Sequence, residues 1–331
     1  MPLFEAWKVT HKQAASISVK NMRNTIVYLF SSSLEKTVFL KPSNPSFYQT
    51  VFDPDFLKHI WGSVLLRQLL HAKIMEQFAP RGWEQICTNA IGWKNSIIIL
   101  HKLLFSDVQL RQKFKEDGNV VLLDVVDGEI DDVRFADGIL CCSHKAYQYY
   151  QQKYPLLPIF FVEQGVDPRV PEIKTTLSDF SAYYFGDVMN CQRYDSIFEY
   201  VHPCFTNTNS SFHLNWFSYL PKANFHYAVR PTVGENIFKP FIKGGIAAYC
   251  ASNILIHKDD GDAAHYLGSD YPYLIKEDIT EKVVLKYLRK AKEEFGGPEW
   301  NRGLAAMAEV KESFSPRRIA KQFWKMIVSF V

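Results

Sequence analysis

The chain has 331 residues, about twice the length of a typical domain, and 47% of them are apolar, which excludes a largely disordered protein. The six cysteines are scattered and form no C-x-x-C pair, so neither a structural zinc site nor a disulfide framework is expected. The formal net charge is +3, and no basic-aromatic motif of a nucleic-acid-binding module is present, so we expect no nucleic-acid partner.

The N-terminal segment carries no apolar core of a signal peptide. The apolar runs at 97–100 and 120–123 have the length of strands and are far too short to span a bilayer. We therefore expect a soluble, cytoplasmic protein. Residues 1–115 hold fifteen Lys and Arg against seven Asp and Glu, a bias that suits an anionic membrane or a charged acceptor. Ordinary solvated side chains explain the same bias, and we favour that interpretation.

In the first half of the chain, β-rich runs at 25–30 and 37–40 flank a serine turn at 31–33. A helix is predicted at 56–78, capped by Asp53 or Asp55. From residue 95 onward, strands and helices alternate. The predicted strands are 96–100, 119–126, 136–142 and 158–162, and the predicted helices are 107–115 and 144–154. Continuous apolar strands alternating with helices indicate a parallel sheet covered on both faces.

A linker predicted at 169–180 leads into a second alternation of the same kind. The predicted strands are 182–185, 225–229 and 253–257, and the predicted helices are 239–251, 279–295, 300–312 and 317–330. We therefore predict an α/β protein with two doubly wound, Rossmann-like domains. The first covers residues 1–170 together with the final helix, 315–331, and the second covers residues 171–314.

Two stretches of sequence narrow this prediction. Residues 135–168 contain Ala136-Asp137, then Ser143, then Gly165-Val166-Asp167 after a strand; residues 224–256 contain Arg230, Lys239-Pro240, Lys243 and Ala247-Ala248. These stretches resemble, respectively, the end of the N-terminal domain and the donor segment of GT-B glycosyltransferases. The resemblance spans about residues 95–275. It implies two domains facing across a cleft, with the last helix crossing back to the N-terminal domain.

The resemblance also implies a nucleotide-sugar donor bound by the second domain. Gly186 stands where the family has a glycine after the first donor-domain strand. In such a reaction the diphosphate leaves, so fixed positive charge and a helix N-terminus beside it stabilise the transition state. Arg230, Lys239 and Lys243 supply the charge in our prediction, and Gly244-Gly245 would let phosphate approach the backbone. Lys239 and Lys243 are spaced i, i+4, which equally suits the solvated side of a helix.

No D-x-D motif stands at a suitable strand end, so we expect neither a metal nor a bound cofactor beyond the sugar nucleotide itself. Members of the family that retain configuration often carry two glutamates eight positions apart. Here Lys243 stands eight positions after Glu235, and serines replace the glycine-rich loop after the first strand. The donor sugar, the nucleotide and the stereochemistry therefore stay open.

An inverting enzyme needs a general base near the acceptor hydroxyl. Asp127 follows the strand 119–126 at the carboxyl edge, where ligands of open α/β sheets bind, although we favour simple turn capping for it. His101 also follows a strand and is the second catalytic candidate, with Lys102 beside it, although a histidine whose hydrogen bonds are satisfied locally is the favoured interpretation. Asp124 lies inside a strand and is interpreted as a buried structural carboxylate.

Ribose recognition is assigned to the acidic loop after the strand 253–257. Asp259 is the chosen residue, with Asp260 and Asp262 as neighbours that could serve. An ordinary acidic turn is the alternative. Calcium is not expected, because Leu267 stands where an EF-hand loop requires glutamate.

The final helix is basic and amphipathic, with Arg317, Arg318, Lys321 and Lys325 beside apolar residues. We favour packing on the first domain over binding to an anionic membrane. The predicted function is transfer of a sugar from a nucleotide sugar to a saccharide or lipid-linked acceptor, as in polysaccharide biosynthesis. A sugar-nucleotide epimerase and a non-catalytic nucleotide- or glycan-binding protein are the alternatives, and the oligomeric state stays open.

Overall fold

The computed structural model describes residues 24–30, 39–44, 62–167, 170–173, 177–206, 216–232 and 238–331. The predicted serine turn at 31–33, the caps Asp53 and Asp55, and residues 56–61 of the first predicted helix lie outside these ranges.

The first sheet has seven strands in the order β2-β3-β1-β4-β5-β6-β7. They are β1 (Thr25–Leu29), β2 (Phe39–Leu40), β3 (Glu84–Thr88), β4 (Ile97–His101), β5 (Val120–Val125), β6 (Gly138–Cys141) and β7 (Ile159–Phe161). All neighbouring pairs are parallel except β2 with β3. Helices α1 (Gly62–Phe78), α2 (Val108–Glu116) and α3 (His144–Lys153) connect them. Asp107 and Ser143 cap α2 and α3, where each side chain accepts a backbone N–H bond.

Both faces of the first sheet are covered. In β1, Ile26 and Tyr28 pack into one hydrophobic core, while Val27 and Leu29 pack into another on the opposite face. Successive side chains of a strand point to opposite faces, so a strand buried on both sides is apolar at every position. This explains the continuous apolar runs in the sequence.

The second sheet has five parallel strands in the order β12-β11-β10-β8-β9. They are β8 (Ala182–Gly186), β9 (Val201–Phe205), β10 (Phe225–Tyr227), β11 (Asn253–His257) and β12 (Leu274–Ile275). Its helices are α4 (Ile242–Tyr249), α5 (Ala263–Leu267), α6 (Glu281–Glu293) and α7 (Pro298–Ser313). Their buried residues form one core with the strands. The prediction of an α/β protein with two parallel, helix-covered sheets is confirmed.

The last helix, α8 (Pro316–Ile327), returns to the first sheet. Ile319, Phe323 and Met326 are buried in the same core as β1 and α1. The predicted packing of this helix is therefore confirmed, and its apolar side is not free to enter a bilayer. Among the residues described, no helix is long and apolar enough to cross a membrane. The six cysteines are free, as the scattered positions predict.

Several elements differ from the sequence prediction. The strands β3, β9 and β12 and the helix α5 were not predicted. β9 contains Pro203, which is tolerated because β9 is an edge strand that needs no donor on its outer side. The helix predicted at 239–251 begins at Ile242 instead. Pro240 disfavours helical geometry at the residue before it, so Lys239 precedes the helix and does not share a helix face with Lys243.

Candidate functional site

Each sheet changes strand order at one place. In the first sheet, β1 lies between β3 and β4, so successive connections run outward from the gap between β1 and β4. In the second sheet, the corresponding gap lies between β8 and β10. Ligands of open α/β sheets bind at the carboxyl ends of the strands at such switch points. His101 ends β4, Gly186 ends β8, and Arg230 follows β10, so the fold places three predicted site residues at these points.

Arg230 is held from two sides. Its Nε donates to Oδ2 of Asp260 over 2.9 Å, and its Nη1 donates to Oδ1 of Asn190 over 2.8 Å. The side chains of Arg230 and Asp260 are 12% and 8% exposed. The guanidinium therefore has a fixed orientation but still reaches the surface of the site.

Lys243 lies in the first turn of α4, beside Arg230. Its Nζ is buried and has no hydrogen-bond partner in the part of the chain that the structure describes; it lies 4.2 Å from the centroid of the Tyr184 ring. Burial, followed by the positive charge of Arg230, lowers the pKa of Lys243 to about 7. An ammonium held in this position gains most from an anion that enters the site. The interpretation of Lys243 as a solvated side chain is wrong.

Gly186 makes room for this cation. Its φ of +147° is rarely adopted by L-residues, and a Cβ at this position would lie 3.0 Å from the Tyr184 hydroxyl and 3.6 Å from Nζ of Lys243. A side chain there would fill the space over the lysine. The glycine therefore keeps the end of β8 open next to the positive charge.

Lys239 reaches the same region from a segment that spans both sheets. The preceding residue, Phe238, is buried in the core of the first sheet, where its ring lies 5.0 Å from that of Tyr149 on α3. Burial, and then the nearby charge of Arg230, lower the pKa of Lys239; Asp127 and Asp260 oppose this shift. Lys239 is therefore close to charged groups of both halves.

The first sheet contributes the pair Lys102 and Asp127. Nζ of Lys102 forms an ion pair with Oδ1 of Asp127, and the side chains are 25% and 34% exposed. His101, next to Lys102, is buried; its Nδ1 accepts from the backbone N–H of Leu103 over 3.3 Å, and its Nε2 has no hydrogen-bond partner among the described residues. Burial lowers the pKa of His101 to about 4, so its imidazole is neutral at physiological pH.

The structure therefore gathers Asp127, Arg230, Lys239, Lys243 and Gly186 around the carboxyl ends of the two sheets. Lys102, Asp260 and Asn190 join them. The sequence identified the acidic loop that contains Asp260 but not the role of Asp260 as the partner of Arg230. We call Lys102, Arg230, Lys239 and Lys243 the cation cluster.

Other candidates have different surroundings. A Cβ on Gly244 would lie 2.0 Å from the Phe241 ring, so close packing explains this glycine, and its phosphate role stays a prediction. Asp259 is 53% exposed beside Lys258, and its ribose role also stays a prediction. Asp262 is buried in backbone hydrogen bonds to α3, so it is not available to a ribose. Asp124 is buried and paired with Arg67 at 2.8 Å, which confirms its structural interpretation.

No group of three or more His, Cys, Asp or Glu side chains suited to a metal ion occurs within the described ranges. The arrangement of these side chains does not determine the type of reaction.

No protein-family model matches the chain, and no curated protein matches its sequence. Solved structures do match. Anabaena HepE in complex with UDP is 10% identical, with a TM-score of 0.54 over 93% of this chain and 100% of HepE. A glycosyltransferase from Rickettsia africae is 9% identical, with a TM-score of 0.52 over 93% of this chain and 98% of that one.

A third match is sucrose-phosphate synthase from Thermosynechococcus elongatus, 11% identical, with a TM-score of 0.51 over 92% of this chain and 88% of the enzyme. Some matched chains are considerably longer: the protein spans 55% of S. aureus TarM and 59% of pneumococcal GtfA. The structures matched are glycosyltransferases of the GT-B class. At these identities the likeness establishes the fold, and the protein has the GT-B fold.

Proposed function

We propose that the protein is a metal-independent glycosyltransferase that moves a sugar from a nucleotide-sugar donor to a saccharide or lipid-linked acceptor. One observation carries the proposal: within the described part of the chain, Nζ of Lys243 is buried without a hydrogen-bond partner, beside Arg230, at the switch point of the second sheet. A buried cation that the fold leaves uncompensated is stabilised by a bound anion. The diphosphate of a sugar nucleotide is an anion of suitable charge.

In this proposal Arg230, Lys239 and Lys243 of the cation cluster stabilise the leaving group, while Lys102 pairs with Asp127. Negative charge grows on the diphosphate as the glycosidic bond breaks, and fixed positive charges at that place stabilise the transition state more than the ground state. Arg230 is already oriented by Asp260 and Asn190, so little reorganisation is required when the charge develops. The first-turn N–H groups of α4, next to Lys243, add the positive end of a helix.

On the acceptor side, Asp127 is the proposed general base for an inverting reaction. Lys102 pairs with its carboxylate and orients it at the end of β5, across from Lys239. The exposed fraction of Asp127 leaves it accessible to an acceptor hydroxyl. His101 is buried, so we assign it a positioning role beside Lys102 rather than a role in direct proton transfer.

The structural neighbours guide the choice of donor. HepE is described with UDP and with UDP and glucose, and the other neighbours are named as sugar-transferring enzymes. We therefore propose a uridine-diphosphate sugar as the first donor to test. We further propose that residues 171–314 bind the donor, and that residues 1–170 with the final helix bind the acceptor.

A peripheral membrane contact is a further element of the proposal where the acceptor is lipid-linked. The outer side of α8 exposes Arg317, Arg318, Lys321 and Lys325, and no acidic residue occurs in this helix. Because its apolar side is buried, such a contact would be electrostatic and weakened by salt.

The test is a binding screen by thermal shift and calorimetry with UDP, GDP, ADP, dTDP and CMP sugars, each with and without EDTA. We expect one nucleotide to bind, unchanged by EDTA, and to lose at least about thirtyfold in affinity in Arg230→Ala, the effect of removing a charged bonding partner. Arg302→Ala is the matched control, since this arginine is 53% exposed on α7 and pairs with Glu299 of the same helix. No binding in the wild type, or equal losses in both variants, would contradict the assignment.

Turnover then separates the possible reactions. A transferase releases the nucleoside diphosphate only when an acceptor is present, apart from slow hydrolysis. Isomerisation of the donor sugar without an acceptor would indicate an epimerase, and binding without either reaction would indicate a non-catalytic protein.

A further inference from the structure

A loop of the second sheet caps a helix of the first. Oδ2 of Asp262 accepts from the backbone N–H of His144 over 2.5 Å, and Oδ1 accepts from that of Lys145 over 3.2 Å. These are first-turn N–H groups of α3, which have no partner inside the helix, and the carboxylate also suits the positive helix end. Asp262 is 1% exposed. We call Asp262 with the N–H groups of His144 and Lys145 the clasp.

Neighbouring contacts hold the clasp in place. Tyr266, on α5 directly after Asp262, donates its hydroxyl to the carboxylate of Glu163, which follows β7. The His144 ring lies 3.8 Å from that of His265 and 4.0 Å from that of Phe161. The junction of the two sheets is therefore bonded on both sides of Asp262.

The same loop holds Arg230. Asp260, two residues before Asp262, accepts from Nε of Arg230. The loop that joins Asp260 to Asp262 is tight, because the backbone N–H of Ala263 donates to the carbonyl of Asp260 over 3.1 Å. A Cβ on Gly261 would lie 2.4 Å from the carbonyl oxygen of Lys239. Gly261 has a φ of +51°, a left-handed conformation that suits this close approach. A shift of Asp262 would therefore be transmitted to Asp260.

We propose that Asp262 is a positioning residue for the cation cluster: its bonds to the N-terminus of α3 fix the loop 258–262, and through Asp260 they fix the orientation of Arg230. The first sheet thereby sets the geometry of an anion site whose residues lie mostly on the second. The predicted effect on diphosphate affinity rests on the proposed function, whereas the effect on the order of the loop does not.

One backbone N–H can be removed to test this. His144→Pro deletes the donor to Asp262 while keeping α3, because proline is favoured at the first helical position and its N–H is not needed by the helix. The preceding residue, Ser143, has φ −131° and ψ 148°, which proline tolerates after it. His144→Ala is the matched control, since it also loses the stacked imidazole but keeps the N–H. The comparison isolates a single hydrogen bond.

The first measurement is amide hydrogen exchange without ligand. We expect exchange at 258–262 and 228–232 to be at least about fivefold faster in His144→Pro than in His144→Ala, because local order there depends on the clasp. A change confined to 143–147 would overturn the proposal. If His144→Pro does not fold, the pair Asp262→Ala and Asp262→Asn replaces it; asparagine keeps an acceptor oxygen, so its exchange should lie between that of the wild type and that of alanine, and equal exchange in all three would overturn the proposal.

The second measurement is affinity for inorganic pyrophosphate and for UDP by calorimetry. We expect binding about fivefold weaker in His144→Pro than in His144→Ala, within the usual range of coupling between sites. A purely structural clasp would lower the melting temperature and leave affinity unchanged, so equal affinities overturn the positioning role. Should the wild type bind neither ligand, the proposed function fails, and the exchange comparison still decides on the clasp.

Discussion

Arg67 and Lys243 are buried cations on helices that cover the first and the second sheet, and their surroundings differ. Arg67 of α1 lies against the first sheet, where Nε bonds Oδ1 of Asp124 at 2.8 Å and Nη1 bonds the carbonyl of Val162 at 3.0 Å. Both side chains are 0–1% exposed. Lys243 of the second sheet has a buried Nζ with no hydrogen-bond partner among the described residues, and the carboxylate of Asp260 is bonded to Arg230 instead.

In the proposed function, this difference separates a structural ion pair from a binding site. A buried cation that has its counter-ion inside the fold offers little to a ligand, because the charge is already compensated. A buried cation without a counter-ion costs stability, and such a cost is typical of sites where a ligand supplies the missing charge. Burial of a charge alone is therefore a poor guide to function; the presence or absence of a partner decides.

The largest expected effect comes from breaking the buried ion pair between Arg67 and Asp124. Asp124→Ala leaves Arg67 charged and unpaired in the core, and we expect a loss of about 3–5 kcal/mol in the free energy of unfolding, measured by urea denaturation. Nucleotide affinity of the remaining folded protein should be unchanged. The double variant Arg67→Met/Asp124→Leu should recover most of the stability, since an apolar pair of similar size needs no charge compensation. Failure of the double variant to recover would mean that Asp124 has a role beyond this pair.

The next effect tests how far the site around Lys239 and Lys243 depends on contacts with the first sheet. Phe238→Ala removes a ring that is 7% exposed and packed against α3, next to Lys239. We expect a loss of about 3 kcal/mol in unfolding free energy and weaker nucleotide binding, because Lys239 loses its anchor. Phe330→Ala, a partly buried ring packed on Phe160 in the core on the opposite face of the first sheet from Phe238, is the control and should lower stability without changing affinity.

Lys243→Met should sharpen the comparison by giving opposite signs for stability and binding. Removing a buried, unpartnered ammonium should raise the unfolding free energy by about 1–3 kcal/mol, while binding of UDP is lost. Lys286→Met, an exposed lysine paired with Glu277, is the control and should change neither quantity appreciably. A destabilised Lys243→Met would show that the ammonium has a partner within the fold.

The smallest effect is a pH dependence. The pKa of Lys243 is lowered by burial to about 7 in the folded protein, so the unfolded chain binds more protons above that pH. The stability contribution of Lys243 should therefore rise with pH between about 7 and the unfolded pKa, and it should be constant below about 7, where both states carry the proton.

Diphosphate binding should show the opposite trend. A bound dianion favours the ammonium form, so binding takes up a proton above pH 7, and affinity should fall by up to about tenfold per pH unit between pH 7 and 9. Calorimetry in buffers of different ionisation enthalpy measures the proton uptake directly. Lys243→Arg, which stays charged, should bind with a flatter pH profile; an equal slope in this variant would assign the titration to another group.

Much of the fold could be predicted from the sequence. Strands such as 97–101 and 253–257 are apolar at nearly every position because both faces are covered, and their alternation with helices indicated two parallel sheets. The strand β3 was missed because it begins with the exposed Glu84 and also contains the polar Gln85 and Thr88, so it shows no continuous apolar run. Asp127 could be chosen because it follows a buried strand, and the carboxyl ends of parallel strands are where ligands bind. Arg230 and Gly186 were chosen from the resemblance to GT-B glycosyltransferases.

The amino-acid sequence by itself determined the class of fold, the parallel arrangement of the strands and the strand ends that carry polar groups. These features follow from local periodicity and from adjacency along the chain. Only the tertiary structure decided that Lys239 lies near Asp127, that Asp260 holds Arg230, and that Nζ of Lys243 has no hydrogen-bond partner among the described residues. Asp262 shows the reason most clearly: it caps a helix 118 residues away on the other sheet. Contacts between residues so distant in sequence leave no periodic pattern, so they become visible only when the two sheets are packed together.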